Sequence, residues 1–136
     1  MTRSPMEENY AYGSSAPEKP GKVTAIAALT LVSGISNILG ALIVTATIVL
    51  GSFGVGLLCA PATLLPIVLG VFEIIYAAKL LANPPKPTDP SEVLAILEIC
   101  AILYGNIFSL TAGILALVFY SDPETKQFFA TLNEAA

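Results

Sequence analysis

The sequence predicts an all-α membrane protein: three transmembrane helices followed by a short C-terminal amphipathic helix. Two apolar blocks carry that reading. Between residues 23 and 81 the only charged side chains are Glu73 and Lys79, and between 93 and 120 the only one is Glu98. Each block exceeds the ~20 apolar residues that a bilayer-crossing helix needs. Composition agrees, since 55% of the chain is hydrophobic and 12% charged, against roughly a quarter charged in soluble domains.

Residues 1–21 are polar, rich in Ser, Pro and Glu, and lack apolar periodicity. They read as a disordered tail with Tyr10 and Tyr12 as its adhesive side chains, able to bind a partner. The stretch is no cleavable signal peptide, so the first apolar helix is expected to act as the insertion signal. That first span covers residues 23–50, long enough at ~1.5 Å per residue to cross a ~30 Å hydrocarbon core. The cluster Gly51-Ser52-Phe53-Gly54-Val55-Gly56 breaks it and suits a tight turn or a short re-entrant segment close to the membrane.

The second span, 61–82, starts at Pro61, because proline's missing N–H costs nothing in a first helical turn; Pro66 adds a slight kink. The Pro-rich turn at 83–87 stops it. Asp89-Pro90-Ser91-Glu92 supplies a cap, a first-position proline and a following acid, opening a third span over 90–120. Ser121-Asp122-Pro123-Glu124 repeats that start signal, and Phe128, Phe129 and Leu132 share one side of the helix it opens over 121–136. That helix is expected to lie on the membrane surface or against a neighbour. A count of four spans would need residues 23–81 to hold three helices of minimal length with almost no connections.

With three spans, Arg3, Lys19, Lys22, Lys79 and Lys86 fall on one side and Lys126 on the other. The positive-inside rule then gives a multi-pass protein of the plasma (inner) membrane, N-terminus cytoplasmic and C-terminus outside.

Glu73 and Glu98 approach the Pro-rich turn from opposite directions, and with Lys79 they form the candidate proton or cation site, since a carboxylate in hydrocarbon is costly and calls for a partner. A structural reading competes. If Phe119 and Tyr120 mark one membrane boundary, about 20 residues back places Glu98 among headgroups and leaves Glu73 as the one unusual group.

Asn37 and Asn106, each about fourteen residues into its span, are expected at matching depth and in hydrogen-bond reach. Ala101, Gly105, Ser109 and Gly113 form a stripe of small residues, as do Ser33, Asn37, Ala41 and Thr45 with Ser36 and Gly40 nearby. Such stripes let helices approach closely, so Asn37, Gly40, Gly105, Asn106, Ser109 and Gly113 are the expected packing residues.

Several classes are excluded. Net charge is -4 and the six Lys and Arg form no patch, which argues against nucleic acid. Cys59 and Cys100 lack metal-ligand spacing and the chain has no His, which argues against zinc or a Cys-His nucleophile. No catalytic motif is present, so neither enzymatic activity nor a cofactor is expected.

Three stretches, Lys19-Pro20-Gly21-Lys22-Val23-Thr24-Ala25-Ile26-Ala27, residues 66–76 with Phe72-Glu73-Ile74-Ile75-Tyr76, and Val118-Phe119-Tyr120-Ser121-Asp122-Pro123-Glu124, resemble small uncharacterised bacterial integral membrane proteins. The resemblance implies a bacterial inner-membrane setting and brings no activity. The expected function is a non-enzymatic structural or accessory subunit, packing in the lipid bilayer with copies of itself or other membrane subunits. The alternative is a small channel or carrier using Glu73 and Glu98.

Overall fold

The computed structural model describes residues 18–134, which form α1 (Gly21–Gly51), α2 (Ala60–Leu81), α3 (Glu92–Cys100), α4 (Ile107–Tyr120) and α5 (Pro123–Glu134), with no strand among them. Short 3-10 turns cover Val55–Cys59 and Ala101–Tyr104. The polar-tail expectation falls almost wholly on residues 1–17, outside the described residues, while Gly21 already belongs to α1.

α1 is one unbroken helix of 31 residues, ~46 Å long at ~1.5 Å per residue. Its buried positions, Val23, Ile26, Ala27, Thr30, Ser33, Gly34, Asn37 and Ala41, recur every three or four residues and so define one face. Residues 23–81 therefore hold two helices, and the four-span count is set aside. The glycine cluster ends α1 as expected: Phe53 and Gly54 take positive φ, 51° and 92°, and the Ser52 hydroxyl ties the turn by accepting from Gly56 N at 2.6 Å. α2 begins with Pro61 in its first turn.

α1 and α2 make the most extensive helix contact in the fold. They cross at Gly34 and Gly70, where a Cβ on Gly34 would lie 2.7 Å from the Gly70 carbonyl oxygen. Only a residue without a side chain lets the two backbones touch there. Neither glycine was among the expected packing residues. α1 and the run Val55–Leu81, which is α2 with the 3-10 turn before it, are long and apolar enough to cross a membrane, and only 39% and 17% of their most apolar windows is buried.

The expected third span differs most. Residues 92–120 are not one helix but two, folded back on each other. Gly105 adopts φ 79° and closes the turn by donating to Ile102 O at 2.8 Å, while Asn106 N donates to Ala101 O at 3.3 Å. The Asn106 side chain then accepts from Ser109 N at 3.1 Å, capping α4. In one straight helix residues 95 and 113 would be ~27 Å apart. Instead a Cβ on Gly113 would collide with the Ala95 carbonyl and approach the Glu98 Cβ to 2.9 Å.

Both feet of this α3–α4 hairpin stand at the same end of the molecule. Tyr76 on α2 receives hydrogen bonds from Ser91 N at 3.4 Å and from the Tyr120 hydroxyl at 2.8 Å. At that end Lys22 pairs with Asp122 at 2.6 Å, and Lys19 donates to Ala82 O at 3.4 Å. The placement of the C-terminal helix and Lys126 opposite the other cations is therefore corrected: α5 and the start of α1 share one end. The α5 start signal is observed, with Asp122 accepting from Glu124 N at 3.1 Å and Thr125 N at 3.4 Å. Phe128, Phe129 and Leu132 do not face outward, however. They are buried in a cluster with Val23, Ile26, Tyr76, Leu80 and Tyr120, each large side chain contributing about 1.5–3 kcal/mol by leaving water or the interface.

Candidate functional site: a polar centre beneath the hairpin tip

Where α1, α2 and α4 meet, five polar side chains gather within apolar surroundings. Asn37 comes from α1's buried face, Ser33 lies one turn earlier, Glu73 faces them from α2, and Ser109 and Asn106 stand at the start of α4. Glu73 is 0% exposed. Asn37 Nδ2 donates to its two oxygens at 3.0 and 2.9 Å, and the Ser33 hydroxyl donates at 3.3 Å. Ser33 and Ser109 share a hydrogen bond of 2.8 Å, and Asn37 also reaches Ser109 at 3.2 Å.

The expected Asn37–Asn106 contact forms, Asn106 Nδ2 donating to Asn37 Oδ1 at 2.7 Å. The two residues reach equal depth by a different route from the one expected: Asn106 sits at the tip of a hairpin rather than partway along a crossing helix. Interhelical bonds of this kind contribute on the order of 0.5–2 kcal/mol each where no water competes.

Glu98 is corrected outright. The aromatic-belt argument places it among headgroups, but α3 folds inward and buries it to 1% exposure. It lies within electrostatic reach of Glu73, Tyr76 and Tyr120. Thr30 comes near its carboxyl without completing a hydrogen bond, and both carboxyl oxygens are unpartnered. Lys79 does not join the acids; it is exposed in the last turn of α2. Among the described residues no group of three or more His, Cys, Asp or Glu is arranged to hold a metal ion.

The small residues sort into three kinds. Gly113 packs α4 onto α3, and Ser109 is buried in the polar centre. Gly105 is a turn residue, with open space where a Cβ would be. Gly40 also faces open space, bordering a groove of about 590 Å³ that runs over the hairpin tip and is lined by Ser36, Asn37, Val44, Thr63, Tyr104 and Asn106 among others.

No protein-family model, curated protein or solved structure matches this chain.

Proposed function

We propose that the chain is a non-enzymatic structural or accessory subunit of a membrane, and that it assembles with a second copy through the groove over the hairpin tip. The observation that carries this reading is where the hairpin stops. α4 has 14 residues, so the turn at Gly105 and Asn106 lies ~21 Å from the charged end, inside a hydrocarbon core of ~30 Å. A turn between two helices leaves backbone groups without intrahelical partners, and irregular backbone at membrane depth is tolerated only where protein or a hydrated cavity covers it.

A second copy fits the uncovered surface because the surface is both knob and hole. Leu103 and Phe108 project at 85% and 70% exposure, and Gly40 leaves a gap on α1 beside them. A two-fold axis through such a patch sets each copy's projecting side chains against the other's gap. The large apolar residues exposed along α1 and α2, such as Leu39, Ile43, Val68 and Phe72, support the membrane setting.

Orientation follows from charge. Among the described residues, every charged side chain except Glu73 and Glu98 belongs to the end that holds Lys19, Lys22, Lys79, Lys86 and Lys126, whereas residues 51–59 carry none. The positive-inside rule puts that end in the cytoplasm, with the α1 start and α5 both inside. Cys59, exposed at the uncharged end, should then react with a membrane-impermeant maleimide on intact cells.

The assembly is tested by light scattering in mild detergent and in nanodiscs. Wild type should measure as more than one chain, and Gly40→Leu as a single chain with unchanged helicity. A wild-type monomer in both media would overturn the reading.

A further inference from the structure

A second groove, of about 620 Å³, opens between α2 and α3. α3 packs along α4 and makes far less contact with α2, which leaves a gap beside α2, bridged at the charged end by the hydrogen bond from Ser91 N to the Tyr76 hydroxyl at 3.4 Å. The α2 wall is formed by Leu65, Leu69, Phe72, Tyr76 and Lys79, spaced by three or four residues and so on one face of the helix. Leu94 and Leu97 of α3 stand across from them.

The groove changes character along its length. From Leu65 to Tyr76 the α2 wall is apolar over ~16 Å at ~1.5 Å per residue, about half of a ~30 Å hydrocarbon core and so the depth of one leaflet. Beyond that point it turns polar. Among the described residues Lys79 is the one charged side chain that lines the groove. The ion pairs among those residues belong to Lys22, so the Lys79 ammonium has no carboxylate partner. One turn deeper, Tyr76 is 8% exposed. Its hydroxyl accepts from Tyr120 and from Ser91 N, and no acceptor among the described residues takes its own proton. The start of α3 stands at the same mouth, with Ser91 and Val93 in the lining, and the first N–H groups of a helix favour an anion.

These features specify a ligand: apolar over one leaflet's depth, with a hydrogen-bond acceptor at its polar end and a negative charge one turn further out. A free phosphate lacks the apolar part, and a fatty acid lacks the second polar group. We propose that the groove holds one acyl chain of a glycerophospholipid with a net negative headgroup. The phosphate lies at Lys79, an ester carbonyl accepts from the Tyr76 hydroxyl, and the chain runs inward along Phe72, Leu69 and Leu65. The proposal rests on the membrane setting proposed above and not on the assembly.

Native mass spectrometry of the full-length protein released from mild detergent, with dioleoyl phosphatidylglycerol or dioleoyl phosphatidylcholine added, tests it. Wild type should carry one phosphatidylglycerol, several-fold more often than phosphatidylcholine. Lys79→Gln should lower phosphatidylglycerol binding about fivefold and remove the preference, whereas Lys126→Gln, exposed on α5, should change neither. Leu97→Trp, with helicity unchanged, should fill the groove and lower binding of both lipids. Equal binding of the two lipids by wild type, or equal losses in Lys79→Gln and Lys126→Gln, would overturn the proposal. So would Leu97→Trp separating a wild-type dimer while phosphatidylglycerol binding persists, since the groove would then be a contact between copies. Alkaline carbonate extraction of cell membranes separates this failure from that of the membrane setting. A chain that stays in the pellet keeps the setting whatever the lipid result, and one that washes into the supernatant overturns both.

Discussion

The two halves of this molecule are built differently. At the charged end, α1, α2, the α3–α4 hairpin and α5 surround a core with Tyr76, Tyr120, Phe128 and Phe129 buried in it. At the other end, α1 and α2 have only each other. Leu50, Phe53, Val55, Leu57 and Leu58 are exposed there, Phe53 fully, and one side-chain hydrogen bond, Thr45 to Thr63 at 2.8 Å, joins the pair. The boundary between the halves is the hairpin tip, where the polar centre lies. The fold thus concentrates specific polar contacts where α1, α2 and α4 meet and leaves the two-helix half to apolar contact with its surroundings.

The contrast is broken most severely at the glycines of the packed half. Gly70→Leu should destabilise the fold by about 3 kcal/mol or more, because the new side chain meets the Gly34 carbonyl and no flexible group can move aside. Gly113→Leu should act similarly on the α3–α4 contact, whereas Gly40→Leu should leave the stability of one chain unchanged. Thermal unfolding in detergent, followed by circular dichroism, ranks the three.

Asn37→Ala comes next. It leaves one Glu73 oxygen without a donor and the other with Ser33 alone, removes the acceptor from Asn106, and should cost about 2–3 kcal/mol in the same assay. Asn106→Ala loses that contact and the α4 cap, for about 1–2 kcal/mol. Thr45→Val, in the bare half, should cost about 0.5 kcal/mol.

The smallest effect belongs to the surface pair at the charged end. The Lys22 ammonium, hydrogen-bonded to Asp122, holds that carboxyl below its ordinary value of 3.8. A carboxyl lowered by folding contributes stability that is present above the ordinary value and lost as pH falls through the lowered one. Asp122→Asn should therefore lower stability slightly at neutral pH, and the difference from wild type should vanish as pH falls below the lowered value. A large effect at neutral pH would mean that the pair, rather than the aromatic cluster, docks α5.

Much of the fold was legible in sequence. The glycine break after α1, the proline start of α2 and the aspartate cap of α5 are local signals whose chemistry acts within four residues, and each is observed. The Asn37–Asn106 pair was legible because two amides inside apolar sequence have few other partners. The hairpin was not, since Ala101, Gly105, Ser109 and Gly113 keep a helical spacing of four and so imitate a continuous packing stripe. A signal was present: Gly105 followed by Asn106 is a left-handed stop and then a helix cap, read together rather than as two small residues. Missing the turn misplaced Glu98, because depth counted along a straight helix has no meaning once the chain reverses. The Gly34–Gly70 crossing was hidden for another reason, in that close approach depends on which faces meet, and apolar runs do not say.

The shortness of α3 and α4 also bears on how the protein is made. With 9 and 14 residues, neither segment reaches the ~20 that partition into a bilayer alone, so in the membrane setting proposed above α1 and α2 would be in place before the hairpin enters beside them. A nascent chain released after α2 would present Ser33, Asn37 and Glu73 to lipid without their cover, the kind of exposed polar face that membrane proteases and chaperones recognise. Truncation at residue 88 should give a protein that inserts, by protease protection, yet is cleared faster from cells than the full chain; equal lifetimes would show that the pair matures without its hairpin.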